Sequence, residues 1–465
     1  MRAGKSIQGL LIAACVALLP AQAEYAAVGD TGGVPGVTDV GLYAIGHVSY
    51  LVCCSDHGRQ VAVSVFYPVD RGTITATTPQ AQYPLDPFSN YLPTTTSAQW
   101  EALGLARAYE GSRPSHEGPF PLAIVTPAYT GDNWQYIFLG LSLASHGYVV
   151  AVTDHPDEGQ WPWSNLNDYM VALFNRTHDL PLVITRLLDK NSAPQELLYG
   201  TVDADKIAMV GHSLGGNATY ALAAGYDDFC DELWASNFYG DPRTEPSYIC
   251  GSLSPDRRIR AIVGMDATST TMRYANLAKI HVPSLILGET VANSSTLPID
   301  VASWLYRPHS AIDRSDSYRV EVQGANHYSF TNYCESGALL LQLGVLDVLY
   351  NAGWLPGNTL AAWYSVFPCA GPAEAPFDPV TIDPATAHRI VDTYVLALLN
   401  TYVRQYPMQN WVLTPQFAVD HEPLVYFYES EECKAALPSN QYYTYHPIPG
   451  QCAIAQKDPP EFFAP

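Results

Sequence analysis

Apolar and polar positions follow three different rhythms along the chain. Near the start, Ala44 to Val52 and Gln60 to Tyr67 are rich in β-branched and aromatic residues and predict two strands. The segment Ser55-Asp56-His57-Gly58-Arg59 between them has the composition of a turn. Residues 69–118 are rich in Pro, Thr and Ser and predict mostly loop. From residue 120 onward, short continuous apolar runs alternate with stretches of helical spacing. Phe120 to Val125 and Tyr148 to Val152 read as buried parallel strands, and Lys206 to Val210, Arg260 to Gly264, Ser284 to Leu287 and, as the last strand, Tyr318 to Val322 read as further strands. Asn133 to Ser145 (stopped at Gly147), Leu180 to Leu188 and Asn217 to Ala224 read as helices. Strand and helix in this alternation imply an α/β fold with a mostly parallel central sheet and helices on both faces. Later, Asp383-Pro384 supplies a helix start. Ile390, Val391, Tyr394, Val395, Leu398, Leu399 and Tyr402 then mark one apolar face of a long helix.

Composition narrows the functional classes. The chain has 465 residues, about half of them apolar, which suits a large globular core. Its formal net charge of −22 repels phosphate backbones and anionic membranes, so nucleic acid is not an expected partner. Residues 1–23 read as an export signal: Arg2 and Lys5, an apolar run from Leu10 to Leu19, Pro20, then Ala21-Gln22-Ala23. That run is too short to span a bilayer and no later segment reaches the required length, so no transmembrane segment is expected. The expected location is secreted or periplasmic. Eight cysteines follow the signal, which suits disulfides in an oxidising compartment. Three local pairs stand out, Cys230 with Cys250, Cys334 with Cys369 and Cys433 with Cys452, leaving Cys53 beside Cys54. No CxxC or HxxxH spacing occurs, so no metal site is expected.

The chemistry centres on one motif. Lys206 to Val210 runs into Gly211-His212-Ser213-Leu214-Gly215-Gly216 and then a helix, a G-x-S-x-G elbow in its strand–turn–helix setting. A serine held at such a bend needs neighbours without bulk, which Gly211 and Gly215 supply, and the helix start directs N–H groups towards developing negative charge. Ser213 is therefore the expected nucleophile. Its base should follow the last strand, where Gly324-Ala325-Asn326-His327-Tyr328 offers His327. The orienting carboxylate has two candidates at strand C-terminal ends, Asp266 and Glu289. Leu214 and Tyr129, in Thr126-Pro127-Ala128-Tyr129-Thr130-Gly131, are the expected oxyanion amide donors. Trp161 and Trp163 are candidates to line the substrate. Acyl transfer of this kind requires no cofactor.

Several segments together resemble the platelet-activating factor acetylhydrolase group of α/β-hydrolases, with cutinase-like polyester hydrolases as near relatives. They are Gly41-Leu42-Tyr43-Ala44-Ile45-Gly46, Val65-Phe66-Tyr67-Pro68, Leu143 to Ala151, the Gly211 to Gly216 elbow, Arg260 to Ala267 and the His327 loop. The resemblance implies an α/β-hydrolase fold and a serine carboxylic-ester hydrolase acting on short-acyl phospholipid-type or other lipid esters. It also implies Asp266 as the acid, because the acetylhydrolase pattern carries it after the strand matching Arg260 to Gly264. The cutinase-like pattern carries the acid after the next strand, where this chain has Val291-Ala292-Asn293, although Thr126 to Gly131 looks more cutinase-like. The expected organisation is a hydrolase domain over 24–405 with insertions at about 225–258 and 334–376, either of which could cover the site. Within the second, Leu339 to Leu349 reads as one apolar helix. A tail over 406–465 is expected to pack on the domain. A cutinase-like polyester hydrolase is the rival enzyme, and a catalytically silent hydrolase-fold binding protein the rival of another class. The sequence leaves the oligomeric state open.

Overall fold

A strand that is apolar on both faces must be covered on both faces, and the structure meets that demand with one twisted sheet between two layers of helix. The computed structural model describes residues 41–53, 59–84, 94–129, 131–156, 166–236, 250–269, 271–289, 307–351, 353, 355–366, 382–428, 443–444 and 455–456. The chain divides into two compact units, Met1–Gly36 and Val37–Pro465. All described residues belong to the second, so the expected export signal lies outside them, as does the turn at 55–58.

In chain order the main elements are β1 (Ala44–Cys53), β2 (Gln60–Val69), β3 (Ala108–Glu110), β4 (Phe120–Thr126), α1 (Ile137–Ser145), β5 (Val149–Asp154), α2 (Leu166–Ser192), β6 (Val202–His212), α3 (Leu214–Ala224), α4 (Phe229–Ser236), β7 (Ile259–Met265), β8 (Ser284–Glu289), β9 (Ser317–Val322), α5 (Tyr333–Gln342), α6 (Leu346–Asn351), α7 (Pro384–Tyr402) and β10 (Val425–Tyr428). These ten strands form one sheet in the order β10-β9-β8-β7-β6-β4-β5-β2-β1-β3. From β5 through β4, β6, β7 and β8 to β9 the neighbours are parallel. β2 pairs antiparallel with both β1 and β5, and β10 antiparallel with β9.

Side-chain alternation along the central strands feeds two separate cores. Ala123, Val125, Val150, Val152, Ala208 and Val210 face the layer of α1 and α7. Leu122, Ile124, Val149, Ala151, Ile207 and Met209 face the layer of α2 and α3. In α7 the apolar face expected from the sequence is buried, including Ile390, Val391, Tyr394, Val395, Leu398 and Leu399. Each such side chain contributes roughly 1.5–3 kcal/mol on leaving water. Asp383 caps this helix, accepting from the Thr386 amide at 3.1 Å, with Pro384 following in the first turn. That bond, its largest cause, holds the Asp383 carboxyl below its usual range.

Several expectations are corrected. The segment Leu339 to Leu349 is two helices, α5 and α6, because Gly344 takes φ +69° and ends the first. Tyr318 to Val322 is not the last strand, since β10 adds to its free edge. The region 69–118 is less irregular than its composition suggests. It contains β3 and a short helix, Ser97–Glu101, whose start is closed by a reciprocal Thr96–Gln99 capping box. Leu180 to Leu188 lies on a helix as expected, within the longer α2. Cys230 and Cys250 form the expected disulfide. Cys53 and Cys334 are disulfide-bonded too. Their expected partners Cys54 and Cys369, like the pair Cys433 and Cys452, lie outside the described residues.

Removing the α7 cap should be measurable. Asp383→Ala is expected to lower unfolding stability by ~1 kcal/mol, read by urea denaturation, with the fold otherwise unchanged.

Candidate active site

Three loops at the C-terminal ends of parallel strands converge, the usual location for sites in open α/β sheets. β6 ends at His212, and Ser213 sits alone in the turn to α3 with φ +54° and ψ −118°. A side chain there is strained, and the surroundings hold it in place. The Ser213 amide donates to Met265 O at 3.1 Å, and its carbonyl accepts from the amides of Asn217 and Thr268 at 3.2 Å. The turn is tight enough to exclude side chains nearby. A Cβ on Gly211 would overlap the Gly215 carbonyl, and one on Gly215 would overlap the carbonyl oxygens of Thr126 and Pro127. Ser213 itself remains 8% exposed.

β7 ends at Met265, and Asp266 follows with φ +40°, its amide donating to Leu287 O at 2.7 Å on β8. β9 leads to Gly324, then Asn326, whose side-chain oxygen accepts from the amides of Tyr328 and Ser329 and so starts a short 3₁₀ turn over His327–Phe330. This cap presents His327 to Asp266, and Nδ1 of the ring makes a short hydrogen bond to Asp266 Oδ2. Of the two carboxylates left open by the sequence, Asp266 is the one bonded to Nδ1. Glu289 is buried at the end of β8. The segment after His327 is anchored by Asn332, which donates to Gln135 O at 2.6 Å and accepts from the Phe138 amide at 2.8 Å. His388 on α7 approaches Thr331 O at 3.0 Å through Nε2, Glu335 at 3.2 Å through Nδ1, and stacks on Phe138.

His212 has more to do than its place in the motif suggests. Its ring packs against His327 with centroids 4.4 Å apart. Tyr136 Oη accepts from the Ala128 amide at 2.9 Å and meets His212 Nδ1 at 2.7 Å. Either the phenol proton or an Nδ1 proton can fill that bond, and the ring needs no charge to make it. Burial, and then the neighbouring His327, push its pKa well below 6.5. Burial likewise raises the Tyr136 phenol far above 10.

The loop carrying Tyr129 leaves β4 at Thr126, and Tyr129 is buried at its tip. A polar network underlies it. His155 meets the hydroxyls of Thr126 and Thr153 at 3.2 and 3.1 Å and Asp179 at 3.2 Å, and Arg59 reaches Asp179 at 3.0 Å. Burial alone would raise the Asp179 carboxyl, but the His155 bond and Arg59 overcome it and hold it low. Leu214, the other expected amide donor, opens α3 directly after Ser213. Trp161 and Trp163 lie outside the described residues.

A solved ferulic acid esterase from Streptomyces cinnamoneus superposes on 84% of this chain and 97% of its own, with a TM-score of 0.52 and 21% identity. The fold is that of the α/β-hydrolases. No protein-family model matches the chain. Cutinase est2 of Thermobifida alba is 28% identical over 149 residues, 30% of this chain and 43% of that enzyme. Cutinase 1 of Thermobifida cellulosilytica is 25% identical over 143 residues, 30% of this chain and 49% of the relative. The matched stretches thus span less than half the length of these curated relatives. Within the α/β-hydrolase frame, His212, Asp266 and His327 bring potential metal-ligand atoms within 4.8 Å of one another. Both Nδ1 atoms of that group are already engaged, by Tyr136 and Asp266. A second such group, Asp228 with Cys230 and Cys250, has its two sulfurs joined in a disulfide. Among the described residues no helix is long and apolar enough to cross a membrane.

The buried imidazole gives a pH prediction. The unfolded chain protonates His212 near 6.5 and the native state does not, so this residue costs native stability as pH falls below 6.5. ¹⁵N spectra of the histidine rings should keep His212 in a neutral form through that range. An imidazolium signal for His212 in the folded protein near pH 6 would contradict the assignment.

Proposed function

We propose that the protein is a serine carboxylic-ester hydrolase that works through an acyl-enzyme. The observation that carries this reading is the short bond from His327 Nδ1 to Asp266 Oδ2, with the His327 ring against His212, the residue before Ser213. His327 takes the Ser213 proton, Ser213 attacks the ester carbonyl, and Asp266 keeps the imidazole in its working tautomer and stabilises the imidazolium. The amides of Leu214 and Tyr129 receive the oxyanion, each worth about 3 kcal/mol to the transition state. His327 then returns the proton to the leaving alcohol, and water releases the acyl group by the same steps. The serine's strained backbone supports the role, since such strain concentrates at working sites.

For the substrate, the position of Asp266 after β7, one strand earlier than in the cutinase-like pattern, favours a short-acyl phospholipid-type ester such as platelet-activating factor. The cutinases among the relatives favour the second reading, a polyester hydrolase. The disulfide at Cys230–Cys250 and the bonded Cys53 and Cys334 support an oxidising, secreted or periplasmic location. We place the hydrolase domain over 24–405, with the disulfide-clipped insertions as covers of the site and 406–465 as a packed tail.

Nitrophenyl acetate turnover tests the chemistry. Ser213→Ala is expected to abolish it, and Asp266→Asn to reduce kcat by about 10⁴-fold through the wrong histidine tautomer. An organophosphate should label Ser213 alone, read by peptide mass spectrometry. Turnover by Ser213→Ala would end the reading. Relative rates on short-acyl phospholipid and on polyester film decide between the two substrate classes.

A further inference from the structure

The loop that should hold the oxyanion has no regular structure of its own, yet its peptide planes are gripped one by one. Arg176, on α2, is fully buried. Its guanidinium donates from Nη1 to Pro127 O and from Nη2 to Ala128 O, the latter at 2.9 Å. The second lone pair of Ala128 O accepts from the Gly131 amide at 3.0 Å. In a trans peptide the C=O and the following N–H point in opposite directions. Holding Ala128 O towards α2 therefore turns the Tyr129 N–H away from α2. The preceding plane is fixed at both ends, its Pro127 oxygen by Arg176 and its Ala128 N–H by Tyr136 Oη. From Tyr136 the same chain of bonds continues to His212, whose ring lies on His327.

We propose that Arg176 and Tyr136 are positioning residues that fix the direction of the Tyr129 amide and so build the oxyanion site. This rests on the ester-hydrolase reading above. A flip of the Ala128–Tyr129 plane would aim a carbonyl oxygen, instead of an N–H, at developing negative charge. Neither residue touches the reacting atoms. Arg176 excludes the flipped plane from one side, and Tyr136 ties the loop to the histidine side of the site, so the oxyanion donor and the base keep a common frame.

The test uses the full chain and its nitrophenyl acetate kinetics, with folding checked by circular dichroism. Arg176→Met is expected to lower kcat by roughly 100-fold and Tyr136→Phe by about 10-fold, with KM within about threefold, as for loss of transition-state stabilisation. Arg176→Lys, which keeps the charge and one donor direction, should recover part of the loss. A trifluoromethyl ketone that forms an oxyanion on Ser213 should lose affinity in step with kcat, which a purely structural defect would not require. If Arg176→Met fails to fold, Tyr136→Phe, lacking a single oxygen, still decides the matter. Folded Tyr136→Phe and Arg176→Lys enzymes with unchanged kcat, or reduced kcat with undiminished ketone affinity, would overturn the proposal while leaving the esterase reading intact. An unaltered enzyme that neither turns over the ester nor is labelled at Ser213 would bring down both.

Discussion

Close approach of three backbones organises the candidate active site. The turn at Ser213 lies against the carbonyls of Thr126 and Pro127 on one side and against Met265 and Thr268 on the other. Such contact is possible only because Gly215 presents no Cβ. Two residues, Ser213 and Asp266, adopt positive φ in this small region. Each such conformation costs of order 1–3 kcal/mol, and the hydrogen bonds that flank them, together with the packed strands beneath, offset that cost. Strain here accompanies the placing of Ser213 and Asp266 directly after adjacent strands, with the Asp266 carboxylate bonded to the His327 ring.

The second organising feature is how buried polar groups are kept paired. Beneath the loop after β4, a guanidinium, a carboxylate, an imidazole and two hydroxyls form one continuous set, Arg59–Asp179–His155–Thr126 and Thr153. Arg176 adds a further buried cation whose donors reach backbone carbonyls. In a low-dielectric interior each bond is strong, and each missing partner is costly. The site is therefore stiff from below. The same logic acts on the histidine side, where Asn326 and His388 satisfy the backbone of the segment that carries His327 and the Asn332 side chain ties that segment to the Phe138 amide of α1.

Much of this was legible in the residue order, and what was not has a physical reason. The central strands could be read because burial on both faces demands unbroken apolar runs. α7 could be read because Asp383-Pro384 starts it and its apolar positions keep one face. The Ser213 turn announces itself through its glycines. The choice between Asp266 and Glu289 could not be made from position, since both end neighbouring parallel strands in register. Only the path of the loop after β9 decides which one meets His327. His212 and Tyr136 were opaque for a similar reason: their bond joins residues 76 apart, and nothing local marks either as a partner. Arg176 lies on a helix, where an arginine is ordinarily solvated, yet this stretch of α2 is buried. The Asn326 cap was not read either, although Asn326 and Ser329 stand at capping-box spacing and carry the signal for it. The break at Gly344 was hidden by the apolar residues on either side of it, whereas the short run at 425–428, bounded by Pro423 and Glu429, was absorbed into the aromatic, Pro-rich composition of the tail.

The strand Val425–Tyr428 closes the side of the sheet next to the one that delivers His327. It also pins its neighbourhood through Glu422, which binds Arg389 of α7. On a ribosome, residues 317–322 emerge about a hundred positions before their partner. Until the partner arrives, the nascent sheet presents a row of unsatisfied amides and carbonyls on its edge strand, a surface that recruits foreign strands. Biogenesis of this protein thus has a vulnerable interval built into its connectivity, and a chain halted short of residue 425 would carry an almost complete site on a sheet still open to aggregation.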